Sequence, residues 1–154
     1  MGELSWREIK KVKVPDPEAS VWTPALDYVT PGRLYLIAVE PRSMFGSPPS
    51  SGEQKWKPEK LEQCTADGDP SRVRVAPLTL DGCSVGALIG KIGGSTADIK
   101  VDPAKLIVFS AGRRCVFSVT DPAKTGGLYL GINDTVHSVT KVQGQLEVTL
   151  FEAL

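Results

Sequence analysis

The stretch that decides the fold is Gly127–Asp134 (GLYLGIND), followed by a polar loop and then Gly144–Leu150 (GQLEVTL). Leu128, Leu130 and Ile132 alternate with Tyr129, Gly131 and Asn133. A period of two sends alternate side chains to opposite faces, so three apolar side chains share one face of a strand. Leu146, Val148 and Leu150 repeat the pattern against Gln145, Glu147 and Thr149. Two half-buried strands therefore flank one loop, residues 133–143. It opens with Asn133 and Asp134, whose short oxygen-bearing side chains bend the chain and can also face a hard cation. A binding site is expected near that loop.

Working outward, the same alternation recurs. In Trp6–Val14, Val12 and Val14 alternate with Lys11 and Lys13, which reads as an edge strand whose lysines discourage pairing with other chains. Val21–Val29 is a second strand near an edge, since Pro24 cannot donate to a ladder. Thr30-Pro31-Gly32 is a turn. Arg33–Glu40 (RLYLIAVE) is apolar on both faces and reads as a central strand covered on two sides. Residues 41–69 read as a long surface excursion rich in Pro and Ser. Within it, Trp56 is either a plug under the loop or a platform on which a sugar ring stacks. Plugs are the commoner case for so large a ring.

Arg72–Val75 is a short strand. Leu78–Val85 leads into Gly86–Gly93 (GALIGKIG), whose glycines mark bulges or close backbone approach. No Walker Gly-Lys-Ser/Thr is present, so Gly93-Gly94-Ser95 reads as a turn and not a phosphate loop. Leu106–Phe109 and Cys115–Thr120 flank Ala111–Arg114, which suits a hairpin. Short strands, frequent turn signals, 15 Gly and 12 Pro predict an all-β, antiparallel β-sandwich or jelly roll, as one domain over residues 1–154; the resemblance given below implies the galactose-binding-like type.

Eighteen Lys+Arg balance eighteen Asp+Glu. Such a chain has no global field to draw in nucleic acid, despite Lys10-Lys11 and Arg113-Arg114. No run of about eighteen apolar residues spans a bilayer. The N-terminus lacks the apolar core of a signal peptide: either the protein stays in the cytoplasm, or a leader was removed, or export follows another route. Trp6 stands where myristoylation of Gly2 would want Ser or Thr. Three cysteines, Cys64, Cys83 and Cys115, form neither a disulfide framework nor a zinc pattern. Cys115 alternates with Phe117 and Val119 and reads as a small core side chain; a Cys64–Cys83 bridge is left open.

Several segments, in order, carry a family resemblance: Pro31-Gly32 before a buried strand; Phe45-Gly46 followed by Gln54-Lys55-Trp56-Lys57-Pro58; Gly86-Ala87-Leu88 with Lys91-Ile92-Gly93; and Asn133-Asp134 with Gly144 ten residues after the aspartate. In these the sequence resembles the PA-IL-like lectins, calcium-dependent, galactose-binding bacterial lectins with a small β-sandwich. The resemblance implies a carbohydrate or glycoconjugate partner. It also admits a homo-oligomer, since multivalency raises weak sugar affinity. Carried over position by position, the calcium ligands fall at Phe45 (carbonyl), Asp134 (carboxylate) and Ser138 (carbonyl), and the sugar contacts include Trp56, Asp134 and Phe45.

The sequence departs from the family where two asparagines complete the metal site: Lys141 and Val142 stand there. Calcium wants six to eight oxygens, and these side chains supply none. An ammonium about 5 Å from a divalent cation is repelled by roughly 6–7 kcal/mol at an effective dielectric of about 20. A millimolar site has only about 4 kcal/mol to lose. No cofactor is therefore expected, and the Lys141 ammonium is expected near Asp134 in place of the ion. The family's His-Pro-Asp-Gln sugar segment corresponds to Val73–Pro77, which has neither His nor Gln, and its cysteine pair is reduced to Cys83.

No catalytic elbow accompanies His137, the single histidine, so the chain is expected to be non-catalytic. Asp67 and Asp69 sit in a turn-like segment that suits neither acid/base work nor calcium. The expectation is a carbohydrate-binding module with a degenerate calcium site. The alternative is an interaction sandwich that has lost both metal and sugar.

Overall fold

The computed structural model describes residues 5–16, 21–39, 54–58, 62–73, 83–96, 105–134 and 142–154, with the backbone alone for 70–73. Among these residues nine strands form: β1 Trp6–Val14, β2 Thr23–Leu26, β3 Tyr35–Ala38, β4 Asp67–Val73, β5 Ser84–Ile92, β6 Ile107–Ser110, β7 Arg114–Phe117, β8 Leu128–Ile132 and β9 Leu146–Ala153. They pair antiparallel in two sheets, of order β1-β9-β3-β7 and β2-β8-β5-β4, with β6 also on β5. A 3-10 turn, Pro122–Lys124, is N-capped by the Asp121 side chain.

Both sheets feed one core. Val14, Tyr35, Ile37, Leu146, Val148 and Leu150 from one sheet meet Ala25, Leu88, Ile92, Leu128, Leu130 and Ile132 from the other. The chain is an all-β sandwich, and the alternation in β8 and β9 points its leucines inward as the sequence requires. These two strands face each other across the core, one in each sheet.

The flanks follow from local chemistry. β1 is an edge with exposed lysines, and its register shifts between Glu8 and Lys10. One extra residue there brings Ile9 as well as Val12 and Val14 toward the core. β2 is an edge carrying Pro24. β3 is buried at all four positions between β9 and β7.

β5 is buried on both faces. Gly90 lies under the Phe109 ring, where an added Cβ would sit 2.5 Å from a ring carbon. Lys91, near the C-terminal end of β5, is fully buried with its ammonium 4.9 Å from the Trp22 ring and 4.8 Å from Tyr129. The same ammonium donates to the Ser95 carbonyl at 2.5 Å. Toward the same end of the sandwich, near the end of β9, the carboxylate of buried Glu152 is shared by Arg7 and Arg33.

Two expectations are corrected, and one open question is answered. The excursion does not run to residue 69: β4 begins at Asp67, inside the segment that reads as a turn. Gly68, at φ +73°, lies so close to β5 that a Cβ would come 2.6 Å from the Ala87 nitrogen, so the two backbones meet here. β6 and β7 are not a hairpin. β6 pairs with β5 and β7 with β3, so Ala111–Arg113 carries the chain from one sheet to the other. Asp67 fixes that corner, accepting from the Arg113 backbone N at 2.9 Å and Nε at 2.7 Å. Finally, Cys64, Cys83 and Cys115 are all free thiols; Cys115 is half-buried and packs against the core.

Candidate functional site

The ladders bring the start of β5, the end of β8 and the start of β9 to one end of the sandwich, and residues 54–58 run across it. Trp56 and Cys64 exchange backbone hydrogen bonds at 3.0 and 2.9 Å; Lys57 and Gln143 do so at 2.7 and 2.8 Å. Beyond the last β3 pairing at Thr149, the Gln54 amide serves β9 as a backbone would. It accepts from the Glu147 N at 2.6 Å and donates to the Glu147 O at 3.0 Å. These bonds satisfy backbone groups that burial would otherwise orphan. The segment is therefore a fixed wall.

Trp56 belongs to that wall as a plug. Its residue is 1 % exposed, it packs in the core cluster, and its indole Nε1 donates to the Gly86 carbonyl at 2.8 Å. This corrects its assignment as a sugar-stacking contact, because neither ring face is open to a ligand. Glycine is required at 86 by this packing. Its φ is +87°, and a Cβ would lie 2.7 Å from the Cys64 Sγ and 3.2 Å from Pro58.

Asn133 and Asp134 are both buried. Asn133 is a staple for the start of β5. Its backbone exchanges bonds with Ala87 and Gly86 at 2.8 Å, and its amide donates to the carbonyls of Cys83 (3.3 Å) and Ser84 (3.2 Å). Asp134 lies near enough to Cys64 for its charge to act on the thiol.

Beside these groups opens a cleft of about 330 Å³, lined by Lys55, Glu62, Gln63, Cys64, Thr65, Gly68 and Asp69. Lys55, Glu62 and Gln63 are exposed at its rim; Thr65, Gly68 and Asp69 are half-buried; Cys64 is the buried floor. Burial, then the Asp69 carboxylate, push the Cys64 thiol up to about 11; the Trp56 indole opposes the rise and Asp134 adds to it. The thiol is thus protonated, unreactive and weakly hydrogen-bonded to the Gly86 carbonyl at 3.8 Å.

Of the residues picked from sequence, Trp56 and Asp134 come together around Cys64 and Gly86. Val142 is half-buried and packs against the core, so it offers no oxygen to an ion. Phe45, His137, Ser138 and Lys141 lie outside the described residues. Among the described residues no group of three or more His, Cys, Asp or Glu is placed to hold a metal ion, and no helix is long and apolar enough to cross a membrane. Sequence reasoning missed Cys64 and Asp69. The available signal was the Asp67-Gly68-Asp69 cluster, which reads as a turn until β4 is seen to pair with β5.

No family model matches the chain, and no curated protein matches it. The PA-IL-like resemblance rests on the segments quoted above.

Proposed function

We propose that this sandwich is a carbohydrate-binding, lectin-like module of PA-IL-like type that takes a galactose-type ligand in the cleft beside Asp134. The observation that carries the reading is the lining. Amide, hydroxyl, ammonium and carboxylate groups converge on a space of about 330 Å³, at the small end of ligand pockets. Sugar hydroxyls need both donors and acceptors, and a carboxylate accepting from them makes the stronger, charge-assisted bond. β4 and the Trp56–Cys64 backbone bonds hold the floor and the Asp69 side of this lining, while Lys55, Glu62 and Gln63 stand exposed at the rim.

Calcium has no part in the proposal. The Val142 side chain packs inward at a position where the family supplies an oxygen, and the donor set does not fit the ion. A glycan array with and without chelator is the test. The expected result is a galactose-type signal that survives chelation and is lost in Asp69→Ala. A one-to-one calcium isotherm that disappears in Asp134→Ala would refute the calcium-free reading.

A second reading, an interaction sandwich that binds neither sugar nor metal, draws on the inward Trp56. Among the described lining residues of the cleft there is no aromatic ring for a sugar to stack on. An array with no glycan signal favours that reading.

A further inference from the structure

The geometry points to an oxyanion site at the end of the sandwich away from the cleft. Arg7 and Arg33, held side by side on the Glu152 carboxylate, take the tetrahedral oxyanion of a phosphate or sulfate group. The site does not depend on sugar binding.

The two guanidiniums arrive from different strands. Glu152 of β9 is in register with Arg7 of β1 on one side and with Tyr35 of β3 on the other. Arg33 lies two residues before β3. Glu152 follows the alternation of Leu146, Val148 and Leu150 and is buried like them. One carboxylate oxygen meets Arg7 Nη2, and the other accepts from Arg33 Nη1 at 2.8 Å. Both oxygens belong to one carboxyl group, so the guanidiniums stand close enough for a single small anion to span them.

Charge does not balance here. A buried carboxylate needs one cation to compensate it, and Glu152 has two, which leaves one positive charge. Glu8, the acidic neighbour of Arg7 on β1, points to the opposite face and lies 3.9 Å from Lys11. Nor are the donors used up. Each arginine gives Glu152 one nitrogen, and among the described residues neither guanidinium has another partner. The fork of paired N–H groups that suits phosphate or sulfate is thus left on both. The Arg7 and Arg33 side chains are 61 % and 48 % exposed, so an anion reaches them from solvent, while Glu152 holds them in place. A carboxylate ligand offers two oxygens in one plane; a tetrahedral group turns separate oxygens to each guanidinium.

The test titrates the full chain at about pH 7.5 with sodium phosphate, sodium sulfate, methyl phosphate and sodium acetate. Sodium chloride keeps ionic strength constant, so screening does not change. Thermal midpoints are read, together with the arginine Nε–Hε signals of the isotope-labelled protein. The tetrahedral anions are expected to raise the midpoint saturably, half-way at about 1 mM, and to shift two Nε–Hε signals. Those two signals are the ones missing from Arg7→Gln and Arg33→Gln. Each variant leaves Glu152 one guanidinium and is expected to weaken the anion by about tenfold. Should Arg33→Gln misfold, Arg33→Lys, which keeps the charge but not the fork, takes its place with the same expected loss. Methyl phosphate binding as well as phosphate assigns the site to an esterified group; phosphate binding alone assigns it to the free ion. Sulfate and phosphate also stabilise proteins generally, by exclusion from the surface, but that effect does not saturate and is the same in every variant. A response of that kind alone overturns the site. So does movement of other arginine signals in place of these two, or acetate binding as tightly as phosphate.

Discussion

Replacing Trp56 separates the plug from the platform. The ring is 1 % exposed, lies in the core cluster and donates to the Gly86 carbonyl. Trp56→Ala removes the whole ring from a packed site, which costs about 3–5 kcal/mol. Trp56→Phe keeps most of the packing and loses the indole donor, leaving the Gly86 carbonyl with the weak Cys64 contact at 3.8 Å. That change should cost about 1–3 kcal/mol. For a domain with a total stability of about 5–15 kcal/mol, the alanine variant forfeits about a fifth or more. With a urea slope of about 2 kcal/mol per molar, its midpoint should fall by about 1.5–2.5 M. Unfolding is best followed by far-ultraviolet circular dichroism, since the variants change the tryptophan signal. The reasoning is refuted if Trp56→Ala unfolds at the wild-type midpoint. A stable Trp56→Ala protein that has lost glycan binding would reinstate the ring as a sugar platform.

Gly86→Ala places a Cβ 2.7 Å from the Cys64 Sγ at a φ of +87°; left-handed strain and overpacking together should cost about 2–5 kcal/mol in urea unfolding. Lys91→Ala empties the space between Trp22 and Tyr129 and strips the Ser95 carbonyl of its donor, for about 2–4 kcal/mol by the same assay. With a folded pKa of about 11, only about one Cys64 in a thousand is thiolate at pH 8. Mass spectrometry after brief iodoacetamide treatment should therefore find Cys83, half-buried and free, labelled well before Cys64. Because the Cys64 pKa is raised on folding from 9.0, its contribution is fully present below pH 9 and is lost as pH rises through 11. Stability should drop by roughly 1–2 kcal/mol across that window in the wild type and less in Cys64→Ser.

What the sequence made legible was local. The alternation at Leu128, Leu130 and Ile132 and at Leu146, Val148 and Leu150 assigns inward faces because strand geometry alone sets a period of two. Pro24 and the lysines of residues 10–13 mark edges for equally local reasons. The corner at Ala111–Arg113 was not legible. A Gly between two short apolar runs signals a turn, but whether it joins partners or sheets depends on Asp67 and on Val39, whose amide donates to the Arg113 carbonyl. The burial of Trp56 is set by Gly86, thirty residues away. The cleft is hidden for the same reason: residues 62–69 have the composition of a loop, and only pairing with β5 turns Asp69 into a fixed wall. That Asn133 and Asp134 follow β8 beside the start of β5 could be anticipated from the alternating strand pattern, but the lining of the neighbouring cleft could not.

The most direct measurement is amide chemical-shift mapping of the isotope-labelled protein on titration with methyl galactoside, or with the strongest array hit. The account predicts shifts confined to the cleft end of the sandwich, led by Gln63, Cys64, Thr65 and Asp69 with Asp134 beside them, and unchanged by chelator. Shifts centred on the β1–β9 face or on the Arg7–Glu152–Arg33 end, or no shifts at all with a folded protein, would contradict it.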